Sequence, residues 1–155
     1  MKEFENKKAP VFNLPDQHGN KRHITEFAGK KTLLYFYPKD MTPGCTTETV
    51  GFQNMKKDFE NENTVIIGLS KDSIERHQKF CEKHDLDIIL LSDTEGKVLE
   101  KYAVWTEKSM FGKKYMGISR ESFLINETGR VIKHWKKVKP VSHPQEVLDY
   151  IKNQD

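Results

Sequence analysis

Apolar and polar positions along the chain fall into short blocks whose period changes. Leu33, Leu34, Tyr35, Phe36 and Tyr37 form an aromatic-rich apolar run, the pattern of a buried strand. Pro38 ends it, because proline has no N–H for a sheet ladder. Residues 64–69 and 88–91 repeat the pattern and predict two further buried strands. Between the first two runs, Val50, Phe52, Met55 and Phe59 suit a helix of about four turns over residues 43–59. Thr42 stands at its N-cap and Pro43 at its first position. Gly51 is a weak point in it, costing about 1 kcal/mol against alanine. Asp72 or Ser73 caps a helix over residues 74–84, and residues 95–102 predict a short one.

Outside this centre the blocks are shorter. Asp16 to Asn20 reads as a hairpin turn between residues 11–14 and 21–24. Residues 104–117, rich in lysine, glycine and aromatics, read as irregular. Residues 121–126 and 130–135 predict a hairpin, and 144–152 a terminal helix with Val147, Leu148 and Ile151 inward. Strands alternating with helices, then a hairpin and a last helix, make an α/β sandwich. No repeat or linker divides it, so residues 1–155 read as one domain, long enough for a sizeable core.

Charge narrows the partners. Lys and Arg number 26 against 23 Asp and Glu, a net +3 spread along the chain, which points away from nucleic acid. The basic run from Lys133 to Lys139 reads as a solvated strand end. Residues 1–8 are charged, with no apolar segment of a secretory leader, and no apolar run is long enough to span a membrane. A cytosolic protein without a membrane partner is expected. Two cysteines in that setting point to catalysis or redox chemistry. Cys45 falls in the first turn of the predicted helix, just past a central strand. Unpaired N–H groups and the positive end of the helix dipole there favour thiolate.

Pro38, Thr42 and Cys45 carry a resemblance. Pro-x-x-x-Thr-x-x-Cys after an apolar strand resembles the active-site signature of peroxiredoxins, the cysteine-based peroxidases. The longer match, from Tyr37 through Pro38, Lys39, Asp40, Thr42, Pro43, Gly44, Cys45 and Thr46 to Glu48, is similar to the bacterioferritin-comigratory or PrxQ-type subfamily. Residues 119–125, Ser-Arg-Glu-Ser-Phe-Leu-Ile, resemble the strand that bears the family's active-site arginine, here Arg120. The resemblance covers nearly the whole chain. It implies a thioredoxin-like three-layer α/β sandwich with an N-terminal β-hairpin extension. It implies a monomer that reduces hydrogen peroxide and organic hydroperoxides, with no metal, haem or flavin, recycled by thioredoxin or a similar thiol reductant.

The resemblance also implies roles. Cys45 is the peroxidatic nucleophile, Thr42 and Arg120 stabilise the transition state, and Pro38 shields the thiolate. A lowered thiol pKa alone is a poor source of rate. A thiol brought from about 8.5 to about 6 gains roughly thirtyfold in thiolate at neutral pH, but loses roughly tenfold in nucleophilicity. Contacts made in the transition state must supply the rest. On residue type alone, Thr42 reads equally as a simple cap and Arg120 as a surface arginine. Glu48 reads as a partner for Arg120 or as an acidic residue favourable at a helix start. Tyr37 reads as packing near the pocket.

Attack on peroxide leaves a sulfenic acid that a second thiol must resolve. Many subfamily members carry that thiol five residues after the first; Val50 stands there instead. Cys81, on or near the inward face of the 74–84 helix, is the remaining candidate, and some PrxQ-like proteins place their resolving cysteine in this helix. The alternatives are a small core cysteine in a one-cysteine peroxidase, or a redox sensor, either recycled by an external thiol. A thiol–disulfide oxidoreductase would want Cys-x-x-Cys, where this chain has Cys45-Thr46-Thr47-Glu48. A phosphatase loop would want arginine at Gly51. The six histidines show no metal-ligand spacing, and His77 and His84 read as a solvated pair on one helix.

Overall fold

The computed structural model describes residues 3–154; Met1 and Lys2, the start of the charged segment read above, and Asp155 lie outside them. In chain order, β1 (Asn13–Pro15) and β2 (Lys21–His23) pair as an antiparallel hairpin, and a single 3-10 turn (Ile24–Phe27) follows. Then come β3 (Lys31–Phe36), α1 (Pro43–Asn54), α2 (Lys56–Asn61), β4 (Thr64–Ser70), α3 (Ile74–His84), β5 (Ile89–Ser92) and α4 (Lys97–Lys101). The chain closes with β6 (Trp105–Met110), β7 (Lys113–Ile118), β8 (Glu121–Ile125), β9 (Val131–Trp135) and α5 (His143–Lys152).

The central sheet runs β5-β4-β3-β8-β9. β3, β4 and β5 are parallel, while β8 runs antiparallel to β3 and β9 antiparallel to β8. β3 is the middle strand, which explains its unbroken apolar run: both of its faces are covered. Leu34 and Phe36 join Ile67, Leu69, Phe123 and Ile125 on one face, packed with Phe12, Phe27, Leu99 and Tyr102. Leu33, Tyr35 and Tyr37 join Leu90 and Leu124 on the other, packed with Phe52, Phe59, Phe80 and Ile151. The strand period of two thus builds two cores from one sequence run, and helices on both sides make three layers.

Three expectations change. The helix expected over residues 43–59 breaks at Met55 (φ −101°, ψ 6°), where the Met55 N–H bonds back to the Phe52 carbonyl. The break re-aims α2 so that the Phe59 ring lies 5.8 Å from that of Phe52. Gly51 is a packing site: a Cβ there would stand 2.9 Å from Pro144 Cγ, so its missing side chain lets α5 lie against α1. Residues 104–117, expected to be irregular, form the β6–β7 hairpin. Its two-residue turn is Phe111-Gly112, both at positive φ (53° and 79°), the geometry of a tight hairpin turn. Phenylalanine at the first turn position hid that signal, since asparagine or aspartate is the usual occupant. The outer residues of both strands are exposed, so no apolar alternation marked them.

Candidate active site

β3 delivers the chain to the site and α1 begins there. Pro38 is half-buried at the strand exit, and Thr42 holds the extended N-cap conformation (φ −87°, ψ 152°) ahead of Pro43. Its side chain makes no capping hydrogen bond; the hydroxyl donates to the Lys39 carbonyl at 2.7 Å. The hydroxyl hydrogen is thereby committed to the loop, and the oxygen lone pairs stay available as acceptors. Cys45 lies in the first turn of α1 with its thiol buried, 1% exposed.

Arg120 arrives from the residue just before β8, the strand that pairs with β3. Glu121 pairs with Phe36 across β8 and β3, which sets Arg120 beside the end of β3 and over the start of α1. Its Nη2 donates to Cys45 Sγ at 3.2 Å and its Nη1 to Glu48 Oε1 at 2.8 Å. One planar fork thus spans the thiol and a carboxylate, an arrangement a lysine point charge does not reproduce. Gly44 leaves room for it: a Cβ there would stand 3.3 Å from Nη2. Burial works against the guanidinium's charge, but Cys45 and Glu48 outweigh it and hold its pKa above the ordinary value. Lys108, on β6, is a cation the sequence reading missed; burial first, then the charge of Arg120, lowers its amine.

Glu48 is completely buried, and its Oε2 has no hydrogen-bond partner among the described residues. Burial pushes its carboxyl up to about 7 despite the opposing pull of Arg120. A folded pKa above the unfolded one means a contribution to stability that is full below about pH 4.5 and is lost as pH rises through 7. Glu48→Gln removes that titration. Relative to the wild type, the variant should gain stability between pH 5 and pH 8, by up to about 3 kcal/mol. Urea unfolding at the two pH values checks it; a difference that stays constant with pH contradicts it.

Cys81 sits half-buried on α3, against the same core cluster that contains Cys45. Burial, then the charge of Asp40, Asp87 and Glu82, pushes its thiol up to about 11. His77 overturns the expectation of a solvated pair. It is fully buried, with Nδ1 2.6 Å from Asp40 Oδ2 and Nε2 3.0 Å from the Leu91 carbonyl, while His84 is half-exposed against Phe80. Residue type alone suggested a solvated histidine; Asp40, from the loop before Cys45, meets His77 in the interior. Asp40, in the loop before α1, is likewise buried, and Tyr37 is more than packing because its hydroxyl donates to Asp40. The available signal was a tyrosine in a buried run, whose hydroxyl needs a partner close by.

The family model described as AhpC/TSA matches residues 6–134. Peroxiredoxin Bcp of Bacillus subtilis (strain 168) is 49% identical over 146 residues, 94% of this chain and 93% of that protein. Peroxiredoxin Bcp of Escherichia coli (strain K12) is 41% identical over 144 residues, 93% and 92% of the two chains. Among solved structures, Xanthomonas campestris Peroxiredoxin Q superposes with a TM-score of 0.87 at 37% identity, covering 92% of this chain and 90% of that one. A mutant of Xylella fastidiosa PrxQ gives 0.90 at 31% identity over 99% of both. The fold is accordingly the thioredoxin-like one of peroxiredoxins. Matched along nearly its whole length to named peroxidases, a chain in which an arginine fork grips a buried thiol at a helix start belongs to the AhpC/TSA family, as a thiol peroxidase of the Bcp/PrxQ group of peroxiredoxins.

Proposed function

We propose that Cys45 attacks the terminal oxygen of a hydroperoxide and that Cys81 then closes an intramolecular disulfide, which thioredoxin reduces. The contact that carries the reading is the Arg120 guanidinium on Cys45 Sγ at 3.2 Å. Attack forms the S–O bond, breaks the O–O bond and releases alkoxide or hydroxide, which takes a proton to leave as alcohol or water. Charge grows on the departing oxygen, and the forked donors of Arg120 suit it. Thr42 accepts from the hydroperoxide O–H through its free lone pairs. Pro38 screens the sulfur from water. One domain acting as a monomer suffices for these steps, with the cytosol as its setting.

Resolution by Cys81 is supported by two observations. The two thiols border one core cluster. Two solved single cysteine-to-serine mutants of the Xanthomonas campestris relative differ in mutated position by 36 residues, the separation of Cys45 and Cys81 here. A disulfide needs α-carbons within about 7 Å, so the ends of α1 and α3 unwind to form it. The poorly ionised Cys81 thiol favours the rival reading, a one-cysteine peroxidase or sensor served by an external thiol.

Intact mass and non-reducing peptide mapping after one equivalent of hydrogen peroxide separate the two. A Cys45–Cys81 crosslinked peptide with a loss of two hydrogens is the expected result. One added oxygen on Cys45 with Cys81 free establishes the one-cysteine enzyme instead.

A further inference from the structure

The loop between β3 and α1 is tied to α3 by buried contacts that peroxide attack does not use. The Asp40 carboxylate accepts from the Tyr37 hydroxyl on Oδ1 and faces His77 Nδ1 through Oδ2 at 2.6 Å. The Leu91 carbonyl opposite Nε2 has no hydrogen, so Nε2 carries one and donates. A second proton therefore lies between Nδ1 and Asp40. The Asp40 N–H donates to Asp72 Oδ2 at 2.8 Å, which also takes the Ser70 hydroxyl at 2.7 Å. Arg76 Nε donates to Asp72 Oδ1 at 3.0 Å, and Arg76 Nη2 to the Asp40 carbonyl at 3.2 Å. Although the ligand atoms of Asp40, Asp72 and His77 lie within 4.8 Å of one another, each already has its partners, so the cluster reads as a fastening and not as a cation site.

The two ends of this fastening are the two chemically active segments. Asp40 lies in the loop that runs into Cys45, and His77 lies four residues, about one helical turn, before Cys81 on α3. We propose that the Asp40–His77 contact is a latch between the loop carrying Cys45 and the helix carrying Cys81, and that its opening sets how the Cys45 sulfenic acid divides between disulfide formation and overoxidation.

The inference rests on Cys81 being the resolving thiol. In that step the Cys81 sulfur bonds to the Cys45 sulfur, the S–O bond breaks, and the departing hydroxide leaves as water with the thiol proton. While the latch is shut, burial and the neighbouring Asp40 charge keep Cys81 in its unreactive thiol form; opening removes both. A tight latch prolongs the sulfenic acid and exposes it to a second peroxide, giving sulfinic acid.

Two variants of the full chain test this by rapid quench and mass analysis after a peroxide pulse. Asp40→Asn keeps an acceptor for Tyr37 and an amide for His77 but removes the carboxylate. Arg76→Ala removes the outer arm, whose side chain is 43% exposed, without emptying the core. Exchanging the charge-assisted hydrogen bond for a neutral one should speed disulfide formation at least about fivefold in Asp40→Asn, and less in Arg76→Ala. Sulfenic acid formation should stay within about twofold of wild type, because these residues touch neither sulfur nor peroxide. The sulfinic fraction under excess peroxide should fall in step; a merely structural role would leave this partition unmoved. A wild-type crosslink whose rate neither variant raises overturns the latch alone. No Cys45–Cys81 crosslink in the wild type overturns the resolving reading and the latch with it.

Discussion

Cys45→Ser should fold like the wild type and consume no hydrogen peroxide. The exchange is nearly isosteric at a fully buried position, and Arg120 Nη2 still finds an acceptor in the serine oxygen. Melting should therefore change by no more than about 1 kcal/mol equivalent. The chemistry fails for a different reason. Displacement at a peroxide oxygen calls for a soft anion, and an alkoxide is neither soft nor available at neutral pH. The carboxylate beside the thiol does not replace it, because Glu48 is bound to Arg120. Peroxide loss followed beside a protein-free blank, with a thermal melt on the same sample, checks both halves. Turnover above the blank in a folded variant would remove Cys45 from the reaction.

Arg120→Ala should slow sulfenic acid formation by about two to three orders of magnitude, the usual consequence of losing a preorganised donor to a developing oxyanion. Its effect on folding depends on pH. Glu48 loses its partner while it stays buried, and an unpaired buried carboxylate costs about 3–5 kcal/mol when ionised. Below pH 7 the carboxyl takes a proton and avoids most of that cost, so the loss of stability should grow as pH rises through 7. Arg120→Ala combined with Glu48→Gln should recover the stability at pH 8 and none of the rate. Stopped-flow attack rates set beside urea unfolding at pH 6 and 8 make the comparison. If the double variant regained the rate along with the stability, Arg120 would be a structural support and not a donor to the reaction.

The buried strand at residues 33–37, the helix start at Thr42-Pro43 and the placement of Cys45 in its first turn were all legible in the chain. They are local features, in which proline geometry, capping residues and apolar period act over a few positions. α3 likewise matches its expected span, because Ser73 accepts from the Arg76 N–H as a cap should, while Asp72 turns to Ser70 and Arg76. The break at Met55 and the β6–β7 hairpin were not legible. The first depends on Phe59 reaching Phe52 in the core, and the second turns on Phe111, which is almost fully exposed and has no place in the usual turn patterns.

The sequence by itself determined the order of the elements other than α2 and the β6–β7 hairpin, the fully covered central strand, the thiol at a helix start and the motif that brings in Pro38, Thr42, Cys45 and Arg120. Tertiary structure decided which distant groups meet. The Phe36–Glu121 pairing carries Arg120 across 75 residues to the Cys45 sulfur. The same fold buries Glu48 and pushes its carboxyl up to about 7, and it closes Asp40 onto His77 across 37 residues. The physical reason is one of range. Period and capping act along a few residues of chain, whereas desolvation and the pairing of buried charges act through space, once the sheet has fixed which elements are neighbours.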